Sequence, residues 1–400
     1  MSFTIASFNV KNLIRPDTVY YPFESLTPEA YAWKRDWLSD QLLQMDADIV
    51  GFQEIFDARS LRDVIADCDT KGIEVNEFSQ PGRDKRYRRR AIYRNLKYRP
   101  YGDKPNLVIA PNMHSVEEDG RRRPGIAMLS RFPILEHEAI QDLSDDPLAT
   151  GFEQLGGGEA GSWRLSKLSR PVQRIVIDIN GHAVTVFNAH LKSKHGEYDR
   201  DASGARPAEN LLDYDPLGRA MGALRAALRR MGEALVIRKM ILKELALGRP
   251  VIVLGDMNDA LTSVSSEIMA GERPFKNYAW MRRHDAEREN DRYSDDENDL
   301  IQTAVRGAML ESAEKMFVRR AQRDMIYTAA FNGVYESIDL ILLSAHFQEG
   351  ATEQIARLDY LQCFNDHLTD GSFVEAPYNK LASDHGQLVA TISWLSDERR

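Results

Sequence analysis

The chain has 400 residues and a mass of 45.5 kDa, and its 43% hydrophobic and 28% charged residues exclude a disordered or fibrous protein. The 52 Lys and Arg against 61 Asp and Glu give a net charge of −9, which excludes a uniformly basic coat for nucleic acid but permits a local basic patch. Two cysteines, Cys68 and Cys363, are too few for a disulfide framework or a four-thiolate zinc site.

Short apolar runs rich in β-branched residues predict strands throughout the chain, and several of these runs end at a polar residue. Some runs show no alternation, which indicates strands buried on both faces. In chain order the predicted strands are residues 3–10, 48–53, 106–110, 125–130, 172–179, 183–189, 250–255, 338–344 and 387–393. The pair around Asn180-Gly181 has the turn sequence of a β-hairpin.

Two segments predict long helices. Thr27 can cap the first helix, which has Pro28 at its first position and runs to about Met45. The second covers residues 224–247 and stops at Gly248-Arg249-Pro250. Its apolar face is predicted to carry Leu224, Leu228, Leu235, Met240, Leu242 and Leu245. Strands interleaved with helices predict a mixed sheet that helices cover.

No internal repeat or proline-rich linker divides the chain. We therefore expect residues 1–400 to form a single domain with loop insertions near 150–162, 193–219 and 271–300. No basic and apolar leader opens the sequence, and no apolar run reaches the roughly 18 residues of a membrane span. These features predict a cytoplasmic protein without a membrane partner, whose oligomeric state the sequence leaves open.

Five polar signatures lie at the ends of predicted strands, where the loops of an α/β sheet gather side chains from distant parts of a chain. They comprise Asn9; Gln53 and Glu54; Asn188 and His190; Asp256 and Asn258; and Asp384 and His385. A single signature of this kind is usually a turn or a helix cap. Five together, each beside a hydrophobic strand, predict an active site.

These residue types suit metal-assisted hydrolysis of a phosphate ester. The candidate oxygen ligands, which favour Mg²⁺ or Mn²⁺ over zinc, are Asn9, Glu54, Asp256 and Asp384. His190 and His385 can exchange protons or polarise a phosphoryl oxygen near neutral pH. Asp256 and Asn258 face one side of an extended backbone, so one can orient water while the other stabilises the oxyanion. No nucleophile elbow or Cys–His pair indicates a covalent intermediate.

Seven segments carry these residues in a fixed order along residues 5–392. They are SFNVKNL, DADIVGFQEIF, GIAMLSRFPI, VFNAHLKSK, VIVLGDMND, SIDLILLS and SDHGQLVATI. Together they resemble the endonuclease/exonuclease/phosphatase superfamily, which includes deoxyribonuclease I, apurinic-site endonucleases, neutral sphingomyelinases and inositol-polyphosphate 5-phosphatases. The resemblance implies a four-layered α/β sandwich of the deoxyribonuclease I type, in which two mixed β-sheets pack face to face with helices outside.

The resemblance also implies a role for each matching residue. The implied metal ligands are Asn9, Glu54 and Asp384, with Mg²⁺ as the cofactor and Mn²⁺ as an alternative. The implied catalytic residues are His190, Asp256, Asn258, Asp339 and His385. Among them Asp256 positions the water, Asp339 pairs with His385, and His385 binds the phosphate.

Two departures indicate a branch of the superfamily. Apurinic-site endonucleases carry Asp where this chain has Lys11, and they lack the histidine found here at His190. In both features the chain resembles the deoxyribonuclease I, phosphatase and lipase branches. Residues 26–38 further resemble bacterial nuclease-like members of the superfamily. The sequence identifies no acidic partner for His190.

A basic run bears on the choice of substrate. Residues 83–99 hold nine Lys and Arg against one Asp, with tyrosines interleaved and Arg88, Arg89 and Arg90 near the centre. Such a run is often a solvated surface, but here it favours a polyanion, because Lys and Arg release counterions from phosphates and tyrosines stack on bases. We therefore expect a nucleic-acid substrate, with DNA favoured, that contacts the three arginines and Asn188.

Two other functions stay open. One is a phosphatase or phosphodiesterase that acts on inositol phosphates or sphingolipid head groups, because the same core serves those substrates. No hairpin rich in exposed Trp or Phe is evident, which disfavours a lipid surface. The other is a catalytically silent scaffold, which is disfavoured because every expected ligand of the core is present.

Overall fold

The computed structural model describes residues 1–16, 18–20, 25–78, 97–102, 105–114, 123–152, 161–196, 216–273, 277–283, 292–318, 326–331, 333–369 and 379–396. Within them the strands are β1 (Ser2–Leu13), β2 (Ile49–Ile55), β3 (Asn106–Ala110), β4 (Gly125–Ser130), β5 (Ile134–Asp142), β6 (Leu148–Phe152), β7 (Gly161–Leu165), β8 (Lys167–Ile179), β9 (His182–His190), β10 (Val251–Asp256), β11 (Leu310–Ser312), β12 (Ala329–Phe331), β13 (Val334–Glu336), β14 (Asp339–Ser344), β15 (Ala356–Phe364) and β16 (Gln387–Trp394). The α-helices are α1 (Pro28–Met45), α2 (Ala58–Phe78), α3 (Pro216–Ala246), α4 (Val264–Ala270), α5 (Asp295–Ala308) and α6 (Ala313–Val318). None of these helices combines the length and the apolar character of a membrane span.

Two mixed six-stranded sheets pack face to face. The first has the strand order β15-β16-β1-β2-β4-β3, and the second has the order β11-β14-β10-β9-β8-β5. Their facing sides meet in one apolar layer, which includes Ile5 and Ile49 of the first sheet and Val186 and Ile252 of the second. Because the strands are buried on both faces, their sequences read as apolar runs rather than as alternating patterns.

Different helices cover the outer faces of the two sheets. On the first sheet, Leu38 of α1 and Leu61 of α2 share a core with Phe8. On the second sheet, Ile237 of α3 and Met269 of α4 pack into a core with residues of β9 and β10. The order helix, sheet, sheet, helix confirms the four-layered α/β sandwich that the resemblance implies.

Local sequence signals at α1 and at the turn between β8 and β9 are confirmed. The side chain of Thr27 accepts a hydrogen bond from the Ala30 amide at 3.2 Å, and Pro28 begins the helix. Asn180 and Gly181 have φ angles of 58° and 88°, the left-handed pair that a tight hairpin turn requires. All nine predicted strands coincide with strands of the structure.

The second predicted helix is longer than expected and turns a different face inward. α3 begins at Pro216 rather than at residue 224, and Leu224 and Leu235 of the predicted apolar face are exposed. The buried face instead includes Glu233 and Glu244, because their carboxylates accept hydrogen bonds from β8 and β9. The prediction was wrong for the exposed Leu224, Leu235 and Leu242, whereas Met240 and Leu245 are partly buried against the core as expected.

Other differences concern segments between the predicted strands. The helix α2 lies where the sequence analysis predicted no element, and β6 and β7 pair at the two ends of the loop predicted at 150–162. Within the other two predicted insertions, residues 197–215, 274–276 and 284–291 lie outside the described residues, and α5 begins near the end of the third.

The pairing register puts the ends of three strands of the second sheet side by side. Asp256 at the end of β10 is opposite His190 of β9 on one side and Asp339 of β14 on the other. In the first sheet the regular pairing of β1 with β2 ends at Asn9, and the irregularity that follows gives Glu54 a φ of 64°. These strand ends form the site.

Candidate active site

The carboxylate of Asp256 is the hub of a buried group of side chains. Its Oδ2 lies 3.0 Å from Asn9 Nδ2, 3.3 Å from His190 Nε2 and 3.8 Å from His385 Nε2. Because Asn9 belongs to the first sheet and Asp256 to the second, this contact joins the two sheets at one end of the sandwich. Gly255 lets β10 approach β9 here, since a Cβ would lie 1.9 Å from a backbone oxygen of β9.

His385 is held as a cation by two buried carboxylates. Asp339 Oδ2 lies 2.8 Å from His385 Nδ1. Burial alone would lower the pKa of His385, but the negative charges of Asp339 and Asp256 raise it well above its usual value. Asn9 Nδ2 lies 3.3 Å from His385 Nε2, and both nitrogens face the Asp256 carboxylate.

His190, by contrast, is neutral. Its side chain is 1% exposed, and burial, together with the positive charges of Arg170 and His385, lowers its pKa well below the usual value. The tautomer with its proton on Nε2 donates to Asp256 and leaves Nδ1 as an acceptor. Among the described residues that Nδ1 has no hydrogen-bond partner. Within the described part of the chain, the acidic partner of His190 is therefore Asp256 at Nε2, and no carboxylate contacts Nδ1.

The pKa of the Asp256 carboxyl is raised above its usual value. Burial raises the pKa of Asp256 to about 7, with His385 opposing the rise and the nearby carboxylates of Asp339 and Glu54 adding to it. The Asn258 amide N–H donates to Asp256 Oδ1 at 2.8 Å and so fixes the plane of the carboxylate. A carboxylate with this pKa suits a group that takes a proton from water.

Four non-glycine residues at the site have left-handed backbone. The φ angles are 50° at Lys11, 54° at Asn12, 64° at Glu54 and 51° at Asn258. Such conformations cost roughly 1–3 kcal/mol each and collect at functional sites. Here they let backbone amides face the site, because Asn12 N donates to Glu54 Oε2 at 2.9 Å and Lys11 N donates to Asn9 Oδ1 at 3.0 Å.

Glu54 and Asp384 place carboxylate oxygens beside this group. Glu54 accepts one hydrogen bond on each oxygen, from Asn9 Nδ2 at 3.2 Å and from a backbone amide at 2.9 Å, so lone pairs remain for a cation. Asp384 Oδ1 lies 4.0 Å from His385 Nε2, and its side chain is 47% exposed. Carboxylate oxygens suit a hard divalent cation such as Mg²⁺ or Mn²⁺, but in the described residues Glu54, Asp256 and Asp384 do not bring their oxygens within 4.8 Å of one another.

Asn9 and one further group of candidate ligand atoms also bear on a metal site. Asn9 Oδ1 accepts the Lys11 amide, and its Nδ2, which has no lone pair for a metal, faces the carboxylates; Asn9 thus differs from the expected ligand and holds the carboxylates in place. The ligand atoms of Asp256, Asp339 and His385 lie within 4.8 Å of one another. Within this trio His385 Nδ1 and Asp339 Oδ2 also share a hydrogen bond of 2.8 Å.

Asn188 lies apart from the group around Asp256. It is 0% exposed, its Nδ2 donates to Ala127 O at 2.9 Å and Gln173 Oε1 at 3.1 Å, and its Oδ1 accepts from Gln53 Nε2 at 2.8 Å. Gln53 and Ala127 belong to the first sheet, so Asn188 connects the two sheets. With its amide engaged by buried groups, Asn188 is not positioned for the predicted contact with a substrate.

The remaining predicted substrate contacts are Asn258 and the arginines. Asn258 Nδ2 donates to Leu191 O at 3.0 Å and lies 3.3 Å from Asp256 Oδ2, so its amide tethers the loop after β9 to the hub. Arg88, Arg89 and Arg90 lie outside the described residues.

Two hydroxyl groups to which the sequence analysis assigned no role position the site: Ser383, which opens the last polar signature before Asp384 and His385, and Thr328. Ser383 Oγ donates to Asn9 O at 2.6 Å and accepts from His385 N at 3.0 Å, which ties the turn before β16 to the end of β1. Thr328 Oγ1 accepts from Asp339 N at 3.0 Å. The place of Ser383 in the segment SDHGQLVATI was a signal, whereas no motif marked Thr328.

The sequence matches a known protein family, and the fold is similar to several solved structures. The family model described as the Endonuclease/Exonuclease/phosphatase family matches residues 6–385. Among solved structures, the chain is similar to a humanized D. rerio TDP2 with 14 mutations (12% identity, 98% of this chain and 99% of that chain, TM-score 0.47) and to a truncated Caenorhabditis elegans TDP2 (12%, 99% and 98%, 0.46). It is also similar to the human Nocturnin catalytic domain with bound sulfate (14% identity, 98% and 95%, TM-score 0.43). No curated protein matches the chain.

Proposed function

The chain belongs to the endonuclease/exonuclease/phosphatase family, and from that premise we propose that it is a metal-dependent phosphodiesterase that hydrolyses nucleic acid, with DNA as the substrate. The family is a group of divalent-metal-dependent hydrolases that act on phosphoesters. The observation that carries the proposal is the convergence on Asp256 of Asn9, His190 and His385, at 3.0, 3.3 and 3.8 Å, from strand ends of both sheets.

We propose Glu54 and Asp384 as the protein ligands of the metal, with Asp256 beside them. Their oxygens suit Mg²⁺, with Mn²⁺ as an alternative. When bound, the metal supplies Lewis-acid stabilisation of the negative charge that develops on the phosphoryl oxygens.

The side chains of the chain itself have complementary roles in this proposal. Asp256 orients the attacking water and accepts its proton, and His190 holds that carboxylate through Nε2. Cationic His385 faces the negative charge of the phosphoryl group, and Asp339 keeps His385 protonated through the 2.8 Å contact with Nδ1. Asn258 holds the loop beside the hub and keeps the Asp256 carboxylate in plane.

The nucleic-acid part of the proposal rests on the basic run at residues 83–99. If Arg88, Arg89 and Arg90 contact phosphates, log K falls with log salt at a slope near −0.9 per contact on duplex DNA. Neutralising the three together should flatten that slope by about 2–3 units and weaken binding to all sequences alike. An unchanged slope would contradict a polyanion contact at these positions.

The direct test is a panel of substrates. Purified protein is incubated with plasmid DNA, single-stranded DNA, RNA and inositol phosphates, with Mg²⁺, with Mn²⁺ and with EDTA. We expect metal-dependent cleavage of DNA that EDTA abolishes. Cleavage of inositol phosphates alone would replace the nucleic-acid proposal, and hydrolysis that persists in EDTA would remove the metal from it.

A second candidate, action on lipid head groups, is favoured by one observation. The hairpin of β12 and β13 exposes Phe331 to 75%, Val334 to 53% and Tyr335 to 44%. Its base is tied to the site, because Thr328 accepts from the Asp339 amide at 3.0 Å. This hairpin exposes one phenylalanine and contains no tryptophan. Co-sedimentation with sphingomyelin vesicles, lost in Phe331→Ser, would favour this candidate; no binding would remove it.

We also propose that residues 1–400 form one domain with the three loop insertions. The support is that β1 and β16, from the two ends of the described chain, pair as neighbours over Ser2 to Ser7. A single cooperative transition on heating, seen alike by circular dichroism and tryptophan fluorescence, is the expected result, and two separate transitions would contradict it.

A further inference from the structure

A cavity of about 330 Å³ beside the candidate active site is lined by three lysines. Lys11 comes from the end of β1, Lys34 from α1, and Lys380 from the segment before β16; Asn12 and Tyr20 line the cavity as well. Three cations around one small cavity attract an anion.

Lys34 is the unusual member of this group. It is 2% exposed, and its Nζ donates to the Leu381 carbonyl at 3.0 Å. Among the described residues, no carboxylate lies within 4.0 Å of Lys34 or of Lys380, whereas Lys11 Nζ is 3.5 Å from Asp384 Oδ2. A buried ammonium group without a counterion is costly. Burial, together with the charge of Lys11, lowers the pKa of Lys34 to about 7.

Two residues that line the lysine cavity contact the proposed metal ligands. Asn12, which lines the cavity, donates its amide to Glu54 Oε2 at 2.9 Å, and Lys11 contacts Asp384. The charges of Glu54 and Asp384 also act on Lys34. A group in the cavity would therefore lie next to the proposed metal ligands Glu54 and Asp384.

We propose that the lysine cavity binds a second phosphate group of the substrate, next to the phosphodiester that is hydrolysed. This inference rests on the proposed function and narrows it to substrates with at least two phosphates close together. Lysine binds phosphate as a point charge, and a phosphate in the cavity would supply the negative charge that buried Lys34 lacks. The second phosphate is either the terminal monoester or a neighbouring diester of a longer strand.

The first experiment compares small substrates. The thymidine dinucleotide TpT has one phosphodiester; the same dinucleotide with a phosphate on its 5′ or 3′ end adds a monoester, and TpTpT adds a second diester. In the wild-type protein we expect at least one of the extended substrates to exceed TpT in kcat/KM by at least ~10-fold. Preference for an end phosphate identifies a monoester, whereas preference for TpTpT identifies a diester.

The variants are Lys34→Met and Lys380→Met, with Lys239→Met as the matched control. Lys239 is a partly exposed lysine of α3 whose Nζ lies 3.5 Å from Asp146. The control therefore removes one positive charge from the helix that covers the second sheet, away from the lysine cavity. The readout is kcat/KM for the extended substrate divided by kcat/KM for TpT, measured within each variant. Partial unfolding of a variant lowers the two kcat/KM values by the same factor and leaves this ratio unchanged. The ratio should fall toward 1 in both cavity variants and stay unchanged in Lys239→Met. A wild-type ratio near 1, or a ratio that survives both cavity changes, overturns the proposal.

A binding measurement in EDTA separates this inference from the proposed function, because it needs no turnover. Thymidine 3′,5′-bisphosphate is titrated calorimetrically into wild-type protein and the same three variants. We expect Kd to rise at least ~10-fold in Lys34→Met and Lys380→Met but not in Lys239→Met. If no diester is cleaved but this pattern appears, the proposed function fails and the phosphate site stands. Equal Kd in all four proteins overturns the phosphate site whatever the catalytic result.

Discussion

Two clusters of polar side chains are buried between the same two sheets, yet they differ in charge and in how completely they are hydrogen-bonded. The amide cluster consists of Ser7, Gln53, Gln173 and Asn188, all 0% exposed. The carboxylate cluster consists of Asn9, Glu54, His190, Asp256, Asp339 and His385. The two share strands, because β2 supplies the adjacent Gln53 and Glu54 and β9 supplies Asn188 and His190, two residues apart.

The amide cluster is neutral and satisfied. Gln53 Nε2 donates to Asn188 Oδ1 at 2.8 Å, and Asn188 Nδ2 donates to Gln173 Oε1 at 3.1 Å. None of its side-chain atoms is among the buried nitrogens and oxygens without a partner in the described residues. Satisfied neutral groups hold the two sheets in register at little electrostatic cost.

The carboxylate cluster has the opposite properties. His190 Nδ1 and Asp339 Oδ1 are buried without hydrogen-bond partners among the described residues, and burial raises the pKa of Asp256 to about 7. Crowded buried carboxylates destabilise a fold, and perturbed pKa values collect at functional sites. Burial between the sheets therefore does not by itself indicate function. What indicates a functional site is buried charge that is not balanced and hydrogen-bonding groups that have no partner.

The largest expected effect is at Glu54. Glu54→Gln keeps the shape of the side chain but removes the charge that would hold the metal, so we expect activity to fall about 10³-fold, as EDTA should do in the wild type. The melting temperature should stay close to that of the wild type. Metal titrations of activity provide the measurement, and full activity in the variant would reject the metal assignment.

The two histidines come next. His190→Ala and His385→Ala should each lower kcat by at least ~10²-fold, the usual scale for proton transfer and for stabilisation of a developing charge. Single-turnover rates at saturating enzyme measure the effect, and substrate Kd should change less than the rate. A histidine whose loss leaves turnover near the wild-type value does not belong to the catalytic group.

A change in the amide cluster should give the reverse pattern. Asn188→Ala removes the acceptor of the 2.8 Å hydrogen bond from Gln53 Nε2 and the side-chain donor to a backbone carbonyl of β4, which we expect to lower the free energy of unfolding by about 2–4 kcal/mol. Turnover and KM of the folded protein should stay within about threefold. Urea denaturation and kinetics on the same samples decide the point, since a raised KM with unchanged stability would return Asn188 to the substrate site.

The smallest effect concerns pH. The pKa of folded His385 is raised, so its stabilising contribution is present below the unfolded pKa and is lost as pH rises through the folded pKa. Asp339→Asn removes one of the charges that raise the pKa, so the loss of stability and the alkaline limb of the activity profile should both move to lower pH. Melting temperatures and rates across pH 6–10 test this; coincident profiles for wild type and variant would exclude the Asp339–His385 pair.

Much of the carboxylate cluster could be predicted from sequence. Glu54, Asp256 and His385 stand at the ends of apolar runs. Strand and turn preferences depend on neighbouring residues, so the ends of those runs can be recognised from the sequence. The hydrogen-bond partners were less accessible. Ser383 and Thr328 act through single hydroxyl groups that leave no periodic signal, and the buried face of α3 was missed because its charged residues meet partners far away in sequence.

The sequence alone determined that the chain is built from apolar strands covered by helices, and that its acidic and imidazole groups follow those strands, because these features depend on local periodicity. Only the tertiary structure decided which inward residue has which task. Asn188 and His190 point to the same side of β9, because the side chains of a strand alternate between its two faces. They differ in position along the strand: Asn188 is a structural amide between the sheets, whereas His190, at the end of the strand opposite Asp256, is a candidate catalytic imidazole. The partners of Asn9, and the gathering of Lys11, Lys34 and Lys380 around one cavity, depend likewise on pairing register and on contacts between distant segments.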